Sequence, residues 1–134
     1  VPTRVEILPS REAFDKDRSA FRKRWARKES TLRRRIQRAR EALDSVDTPA
    51  NLLETAAKLC LALGTDGLRG ELTLVRSARA LAALNNDSTA TLEHLKAIAP
   101  SVLRHRLRRD PLDESSADIR VERVIAELFN DCDD

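Results

Sequence analysis

The chain has 134 residues, of which 41% are hydrophobic, 35% charged and only 3% aromatic, with a net charge of +3. This length suits one domain or one compact part of a larger protein, and the abundance of Ala, Leu, Arg and Glu favours helices over strands. No apolar run approaches the roughly 18 residues of a membrane span and no signal peptide is recognisable, so we expect no membrane span.

Two helices are predicted in the first third of the chain. Residues 3–14 favour a short helix, which Pro9 is expected to break or kink. In residues 17–44 the apolar side chains recur at intervals of 4, 7, 4, 3 and 4, which predicts a helix of about 25 residues with one apolar stripe. Asp15 or Asp17 can cap its first turn. The stripe consists of Phe21, Trp25, Leu32, Ile36, Ala39 and Leu43.

The charges are distributed unevenly. Arg18 to Arg40 contains eleven Lys or Arg residues against one acid, whereas Asp110 to Asp134 contains nine acids against two arginines. A basic block of this kind is one signature of nucleic-acid binding. The helical periodicity instead places the cations on the solvated sides of the long helix, and its two aromatic residues lie on the apolar stripe. We therefore expect no nucleic-acid partner.

Two further helices are predicted in the middle of the chain. The third begins with Pro49 at its first helical position and ends at Leu63, with Gly64 as the stop signal. The fourth extends from about Glu71 to Leu84. Its apolar residues at helical spacing are Leu72, Val75, Ala78 and Ala82.

Two more helices complete the predicted fold. Thr91 caps the fifth, with Glu93 in its first turn and Pro100 expected to bend it. Residues 117–129 form the last amphipathic helix, and "RRDPLDESS" separates the two. No segment alternates like a strand, so the sequence predicts an all-α fold, a bundle of five to six helices with short loops.

The residues alone give no catalytic constellation. No Gly-Lys pair occurs, so the phosphate-binding loop is not in this chain. His94 and His105 are eleven residues apart without further ligands nearby, and Cys60 and Cys132 have neither a disulfide nor a metal spacing. We therefore expect neither a catalytic residue nor a metal site here.

Arg69 is the exception, because it stands between Gly67 and Gly70 at the start of the fourth helix. The positive end of the helix dipole disfavours a cation there. Exposed N–H groups at a helix N-terminus do bind phosphate, and a guanidinium matches phosphate geometry, so Arg69 fits an anion site. The alternative is that Arg69 pairs with Glu71 or Asp66, or points into water.

Two long segments carry a family resemblance. "LCLALGTDGLRGELTLVRSARALAAL" and "LKAIAPSVLRHRLRRDPLDE" resemble the C-terminal region of the ATPase I subunits of magnesium chelatase. These AAA+ motors drive Mg²⁺ insertion into protoporphyrin IX for chlorophyll and bacteriochlorophyll synthesis. Upstream, "RVEILPSREAFDKDRSAFRKRW" is similar to the family's passage from AAA+ core to helical lid. The resemblance implies a connection from the core in residues 1–15, a lid domain in 16–130 and an acidic tail in 131–134.

The resemblance also implies roles for two arginines. Arg69 matches the sensor-2 arginine, which reaches the γ-phosphate of ATP bound on the core, and Arg76 is a weaker candidate for the nucleotide or subunit interface. The family's Walker motifs lie upstream of the matched region, so this chain alone is expected to be inactive. ATP and Mg²⁺ are the expected cofactors of the full-length protein.

The implied partners are the AAA+ core, further copies in a ring expected to be hexameric, and the chelatase D and H subunits, of which H binds porphyrin. The implied location is the cytoplasm, or the plastid stroma in a phototrophic eukaryote. The lids of the D subunit, of cobalt chelatase and of MoxR-like ATPases are the alternatives. The D subunit differs by continuing into a Pro-rich acidic linker and an integrin-like domain.

Overall fold

The computed structural model describes residues 2–65, 67–107 and 117–130. Within these residues the chain is all-helical, which confirms the predicted fold class, and the only β pairing is an isolated bridge between Asp47 and Thr89. A short 3₁₀ turn, Leu43–Ser45, follows the second helix. The α-helices are α1 (Pro2–Lys16), α2 (Arg18–Ala42), α3 (Ala50–Ala62), α4 (Arg69–Asn85), α5 (Leu92–Leu103) and α6 (Ala117–Asn130).

The chain divides into two compact units, Val1–Gln37 and Arg38–Asp134. The first unit contains α1 and most of α2. Asp17 caps α2, because its Oδ1 accepts a hydrogen bond from the amide of Ala20 at 3.0 Å, so one of the two predicted caps is confirmed. Pro9 lies inside α1, so the helix is not broken there.

The hydrophobic core of the second unit lies between α3, α4, α5 and α6. Helix α4 packs against both α3 and α5. Along α4 the buried residues are mostly small (Gly70, Ala78, Ala82 and Ala83), and small side chains let neighbouring helices approach closely. Larger fully buried side chains fill the remaining space: Leu52, Leu59, Leu74, Leu95, Leu103 and Val121.

Two helices of this unit end in the same hydrogen-bonded motif. At the end of α3, Gly64 has φ +65, its amide donates to Leu61 at 3.0 Å, and the amide of Thr65 donates to Cys60 at 3.0 Å. These are the two bonds of a Schellman motif, so the predicted stop at Gly64 is confirmed. At the end of α4, Asn86 has φ 68 and the corresponding bonds reach Ala83 and Ala82.

The structure corrects three details of the middle helices. Pro49 precedes α3 as its N-cap, with ψ 152, and is not the first helical residue. Helix α4 begins at Arg69, two residues before the predicted start. Leu72 is 53% exposed, while Leu74 is fully buried. Residues 70, 74, 78 and 82, spaced four apart on one side of α4, face the core, and Gly70 among them contacts the end of α3.

Candidate functional site

Arg69 is the first residue of α4 and its side chain is exposed. The preceding residue, Leu68, occupies the N-cap position without a side-chain hydrogen bond. The bond from the amide of Leu72 to the carbonyl of Leu68, at 3.0 Å, opens the helical ladder. The first amides of a helix have no intrahelical acceptor and point along the axis. The end of α4 therefore combines a guanidinium with backbone donors, both of which attract an anion.

The structure tests one of the two ion pairs that the sequence offered for Arg69. Within the described ranges, the guanidinium forms no ion pair or side-chain hydrogen bond, so the pairing with Glu71 is not present. The Oε2 atom of Glu71 is instead buried and has no hydrogen-bond partner among the residues that the structure describes. Asp66, the other proposed partner, lies outside the described residues. Arg69 is thus placed in solvent at the end of α4 and separated from the adjacent carboxylate.

Two glycines position the start of α4. Gly67 has φ +63, a left-handed conformation that glycine adopts without the steric cost of a Cβ atom. Gly70 is buried, and a Cβ atom added there would lie 3.1 Å from Thr65 Oγ1 and 3.4 Å from Cys60 Sγ. Thr65 is itself fixed, because its hydroxyl donates to the carbonyl of Cys60 at 3.2 Å. The first turn of α4 is therefore packed directly on the end of α3, which fixes the position of Arg69.

Cys60 lies beneath this contact and is fully buried. Burial raises the pKa of its thiol; the Thr65 hydrogen bond opposes this in part, and the weaker effects of Glu71 and Arg106 raise and lower the pKa respectively. The thiol therefore stays protonated at neutral pH and acts as a small apolar group. No group of three or more metal-binding side chains occurs among the described residues.

Arg76 and Arg79 lie on different sides of α4. Arg76 is exposed and follows Arg69 by two helical turns on the same face, about 10 Å further along the axis at 1.5 Å per residue. Arg79 is half-buried, and its Nη2 donates to the carbonyl of Leu43 at 3.0 Å. Arg79 therefore joins α4 to the 3₁₀ turn. The sequence did not reveal this role, because it does not show which of arginines 76 and 79 is exposed on the helix and which is half-buried.

His94 forms hydrogen bonds at the beginning of α5. The amide of Thr91 donates to His94 Nδ1 at 3.1 Å, and His94 Nε2 lies 3.0 Å from Asp87 Oδ2. Since a backbone amide can only donate, Nδ1 must accept, and the ring proton resides on Nε2 facing the carboxylate. Thr91 and His94 form a reciprocal capping box on α5, which confirms the predicted cap and adds an unexpected partner. His105 is exposed.

Comparison with known proteins identifies the family. The sequence profile of the AAA lid domain matches residues 53–127, more than half of the chain. The chain belongs to the AAA lid domain family. In this AAA lid domain, the matched segment begins within α3 and ends within α6, and so contains the whole of α4 with Arg69 and Arg76. The division into residues 1–15, 16–130 and 131–134 stays a prediction.

Curated relatives specify the branch of the family. The chain is 55% identical over 127 residues to the magnesium-chelatase 38 kDa subunit of Acidiphilium rubrum, covering 95% of this chain and 37% of the relative. It is 50% identical over 129 residues to the 38 kDa subunit of Cereibacter sphaeroides, with 96% and 39% coverage. The chloroplastic magnesium-chelatase subunit ChlI of Oryza sativa subsp. indica is 38% identical over 126 residues, with 94% and 30% coverage.

This AAA lid domain is therefore a homologue of magnesium-chelatase 38 kDa and ChlI subunits, and it spans between a third and two fifths of the two bacterial relatives. Within the described ranges, no helix is both long enough and apolar enough to cross a membrane. The predicted segment "RRDPLDESS" and the tail at 131–134 lie outside the described residues.

Proposed function

We propose that this chain is the lid region of the ATPase I subunit of magnesium chelatase. In the full-length protein it would work with an AAA+ core that hydrolyses ATP to drive Mg²⁺ insertion into protoporphyrin IX, in chlorophyll or bacteriochlorophyll synthesis. The support is the 55% identity to a magnesium-chelatase 38 kDa subunit over 95% of the chain, together with the AAA lid profile.

Within that function, Arg69 is the residue that contacts the terminal phosphate of ATP, in the manner of a sensor-2 arginine. The observation that carries this role is an exposed guanidinium at the N-terminus of α4 with no ion pair among the described residues. The helix dipole disfavours this cation by about 0.3–1 kcal/mol. A phosphate charge about 4 Å away attracts it by about 4 kcal/mol at an effective dielectric constant of about 20. The attraction outweighs the repulsion only when the nucleotide is present.

The surroundings of Arg69 suit an interface with the core. Leu68 and Leu72 flank it and are 74% and 53% exposed, so two apolar side chains are available beside the guanidinium. Burying them against the ATPase core would hold the lid over the nucleotide and exclude water from the phosphate. Arg76 is exposed on the same face of α4, and in this arrangement it would be a weaker candidate for contact with the nucleotide or a neighbouring subunit.

The proposal assigns the nucleotide chemistry to the rest of the protein. The core would bind ATP with Mg²⁺, and the lid would supply Arg69 and a surface that moves with the nucleotide state. The lid alone would not hydrolyse ATP. The proposed partners are the AAA+ core, further copies in a hexameric ring and the chelatase D and H subunits, in the cytoplasm or in the plastid stroma.

The test is the Arg69→Ala substitution in the full-length protein, with Arg104→Ala, an exposed arginine outside α4, as the control. An arginine that acts on a transferring phosphate contributes up to about 10³–10⁵ in rate, and a sensor that reports hydrolysis contributes less. We therefore expect ATP hydrolysis and Mg²⁺ insertion to fall at least about tenfold in Arg69→Ala, and much less in Arg104→Ala. Both variants should melt like the parent, because both side chains are exposed. Unchanged hydrolysis and insertion in Arg69→Ala would overturn the proposed role.

A further inference from the structure

The guanidinium of Arg79 holds the connection between α2 and α3 on the surface of α4. We call this connection, residues 43–49, the linking segment. The Nη2 atom of Arg79 donates a hydrogen bond to the carbonyl of Leu43 at 3.0 Å, and the 3₁₀ turn that begins at Leu43 packs against α4. Carbonyls at the end of a helix lack intrahelical donors. Arg79, which is 36 positions later in the sequence, supplies such a donor directly after α2.

Backbone hydrogen bonds attach the linking segment a second time, to the turn that follows α4. The amide of Asp47 donates to the carbonyl of Ser88 at 2.9 Å, and the amide of Ala90 donates to the carbonyl of Asp47 at 2.9 Å. Between the two attachments, Val46 is buried in the hydrophobic core. The linking segment is therefore fixed to α4 and its following turn at Leu43, Val46 and Asp47, and it has to follow a displacement of that helix.

The guanidinium of Arg79 does more than fill space beside α4. The side chain is half-buried, and its Nε atom is buried with no hydrogen-bond partner among the residues that the structure describes. Removing this N–H group from water has a cost that an apolar side chain would avoid. An apolar side chain, however, lacks the directional donor that fixes the Leu43 carbonyl relative to α4. The cost therefore indicates that a defined position of the linking segment matters.

Helix α4 joins this attachment to the candidate site. Arg69 is the first residue of α4, and Arg79 follows it by ten residues, about 15 Å along the helix axis. Coupling between distant sites is carried by rigid helices and by the hydrogen bonds that join them to their neighbours. Helix α4 combines the two parts, because its N-terminus attracts an anion and its later turns hold the linking segment.

We propose that Arg79 is a positioning residue, which passes a displacement of α4 by the nucleotide to the linking segment and to the last turn of α2. This inference rests on the proposed function, because it takes the nucleotide to act at Arg69. Arg79 itself does not touch the nucleotide and acts through the Leu43 carbonyl. Without this hydrogen bond α4 would still respond to ATP, but the linking segment would follow incompletely. ATP hydrolysis would then continue with less Mg²⁺ insertion.

The attachment can be tested on the chain itself by measuring the distance between two nitroxide labels. Arg40→Cys in the last turn of α2 and Ala80→Cys on α4 provide exposed labelling sites within the second unit, in a Cys132→Ser background in which Cys60 is buried. We expect one narrow distance distribution in the parent. Arg79→Met removes the donors but keeps an unbranched side chain of high helix propensity, and it should add longer distances.

Circular dichroism checks that the labelled parent and the labelled Arg79→Met variant have the same helix content. An unchanged distance distribution in Arg79→Met would overturn the inference, because it would show that Arg79 does not fix the linking segment on α4. This result does not depend on whether the chain responds to ATP.

The coupling is tested in the full-length protein with the chelatase D and H subunits, as the amount of Mg²⁺ inserted per ATP hydrolysed. Removing a hydrogen bond of a charged donor shifts an equilibrium by about tenfold or more. We therefore expect Arg79→Met to lower this ratio at least about threefold, with a KM for ATP within about twofold of that of the parent. Arg79→Lys keeps a charged donor and should give an intermediate ratio. Arg104→Met, at an exposed site outside α4, is the control and should keep the ratio of the parent.

Two results of this assay would each overturn the inference. An Arg79→Met variant with the ratio of the parent would show that Arg79 only stabilises the fold. A KM for ATP raised as strongly as in Arg69→Ala would place Arg79 at the nucleotide. A failure of the proposed function gives a different result, namely a full-length parent that does not hydrolyse ATP, or unchanged hydrolysis and insertion in Arg69→Ala. The two failures are therefore distinguishable.

Discussion

Substituting Gly64 by alanine should destabilise the second unit, because Gly64 closes α3 with φ +65. Among the described residues no atom lies within 4 Å of a Cβ added there, so the substitution introduces backbone strain without a collision with them. A left-handed conformation costs an ordinary residue about 1–2 kcal/mol. The stiffer unfolded chain offsets about 0.4–1 kcal/mol of this. The net loss in the free energy of unfolding should be about 1 kcal/mol.

The matched control is Gly64→Asn. Asparagine tolerates the left-handed region better than alanine, and Asn86 already occupies it at φ 68 in the same motif at the end of α4. We therefore expect Gly64→Asn to lose less than half as much stability as Gly64→Ala. Replacing Asn86 by glycine should be neutral or slightly stabilising.

Urea unfolding followed by far-ultraviolet circular dichroism measures these differences. A loss of about 1 kcal/mol moves the midpoint by about 0.5 M at the usual dependence of unfolding on urea. Equal midpoints for the alanine and asparagine variants would refute the reasoning, since they would show that the conformation of residue 64 does not limit the stability of this helix end.

Two further predictions concern the half-buried Arg79 and the buried Cys60. Arg79→Leu should lower the free energy of unfolding by about 1–2 kcal/mol, because Arg79 donates to the Leu43 carbonyl, whereas Arg76→Leu at an exposed site should leave stability unchanged in the same urea assay. In a Cys132→Ser background, Cys60 should react slowly with a thiol reagent, because it is buried and its pKa lies above the usual 9.0. Fast labelling of the folded protein would contradict the slow reaction. As the pH rises above 9.0, the Cys60 thiol loses its proton in the unfolded chain before it does so in the folded chain. The free energy of unfolding should therefore fall above pH 9.0 and not below it.

The sequence predicted most of the fold because its signals are local. The interval pattern of α2, the Asp17 cap, the Gly64 stop and the Thr91 cap each depend on neighbouring residues, and the structure confirms them. Local chemistry of this kind is visible in one sequence without knowledge of the tertiary fold.

The sequence predictions failed where contacts between helices determine which side chains are buried. The spacing of α4 is compatible with Leu72 or with Leu74 in the core, and the packing of α4 against α3 and α5 decides between them. In the same way, periodicity gave α2 one continuous apolar stripe but did not reveal that Leu32 and Ile36 are exposed.

In the candidate site, too, features set by neighbouring residues could be predicted, and features set by tertiary contacts could not. A cation at a helix N-terminus breaks a local rule, and such a departure is a recognisable signal of function, so Arg69 could be singled out from the residues alone. The absence of a Glu71 pair and the fixed position of α4 required the structure. The structural role of Arg79 also depends on a carbonyl distant in sequence and could not be predicted.

The most direct test of the role of Arg69 is nucleotide discrimination in a chimera. This chain would replace the matching segment of the Acidiphilium rubrum 38 kDa subunit, to which it is 55% identical. A charge-assisted hydrogen bond to the terminal phosphate is worth about 1.5–3 kcal/mol, a factor of about ten to one hundred. Arg69→Ala should therefore weaken binding of a non-hydrolysable ATP analogue at least about tenfold and leave ADP binding unchanged. Equal losses for both nucleotides, or no loss for either, would contradict the account.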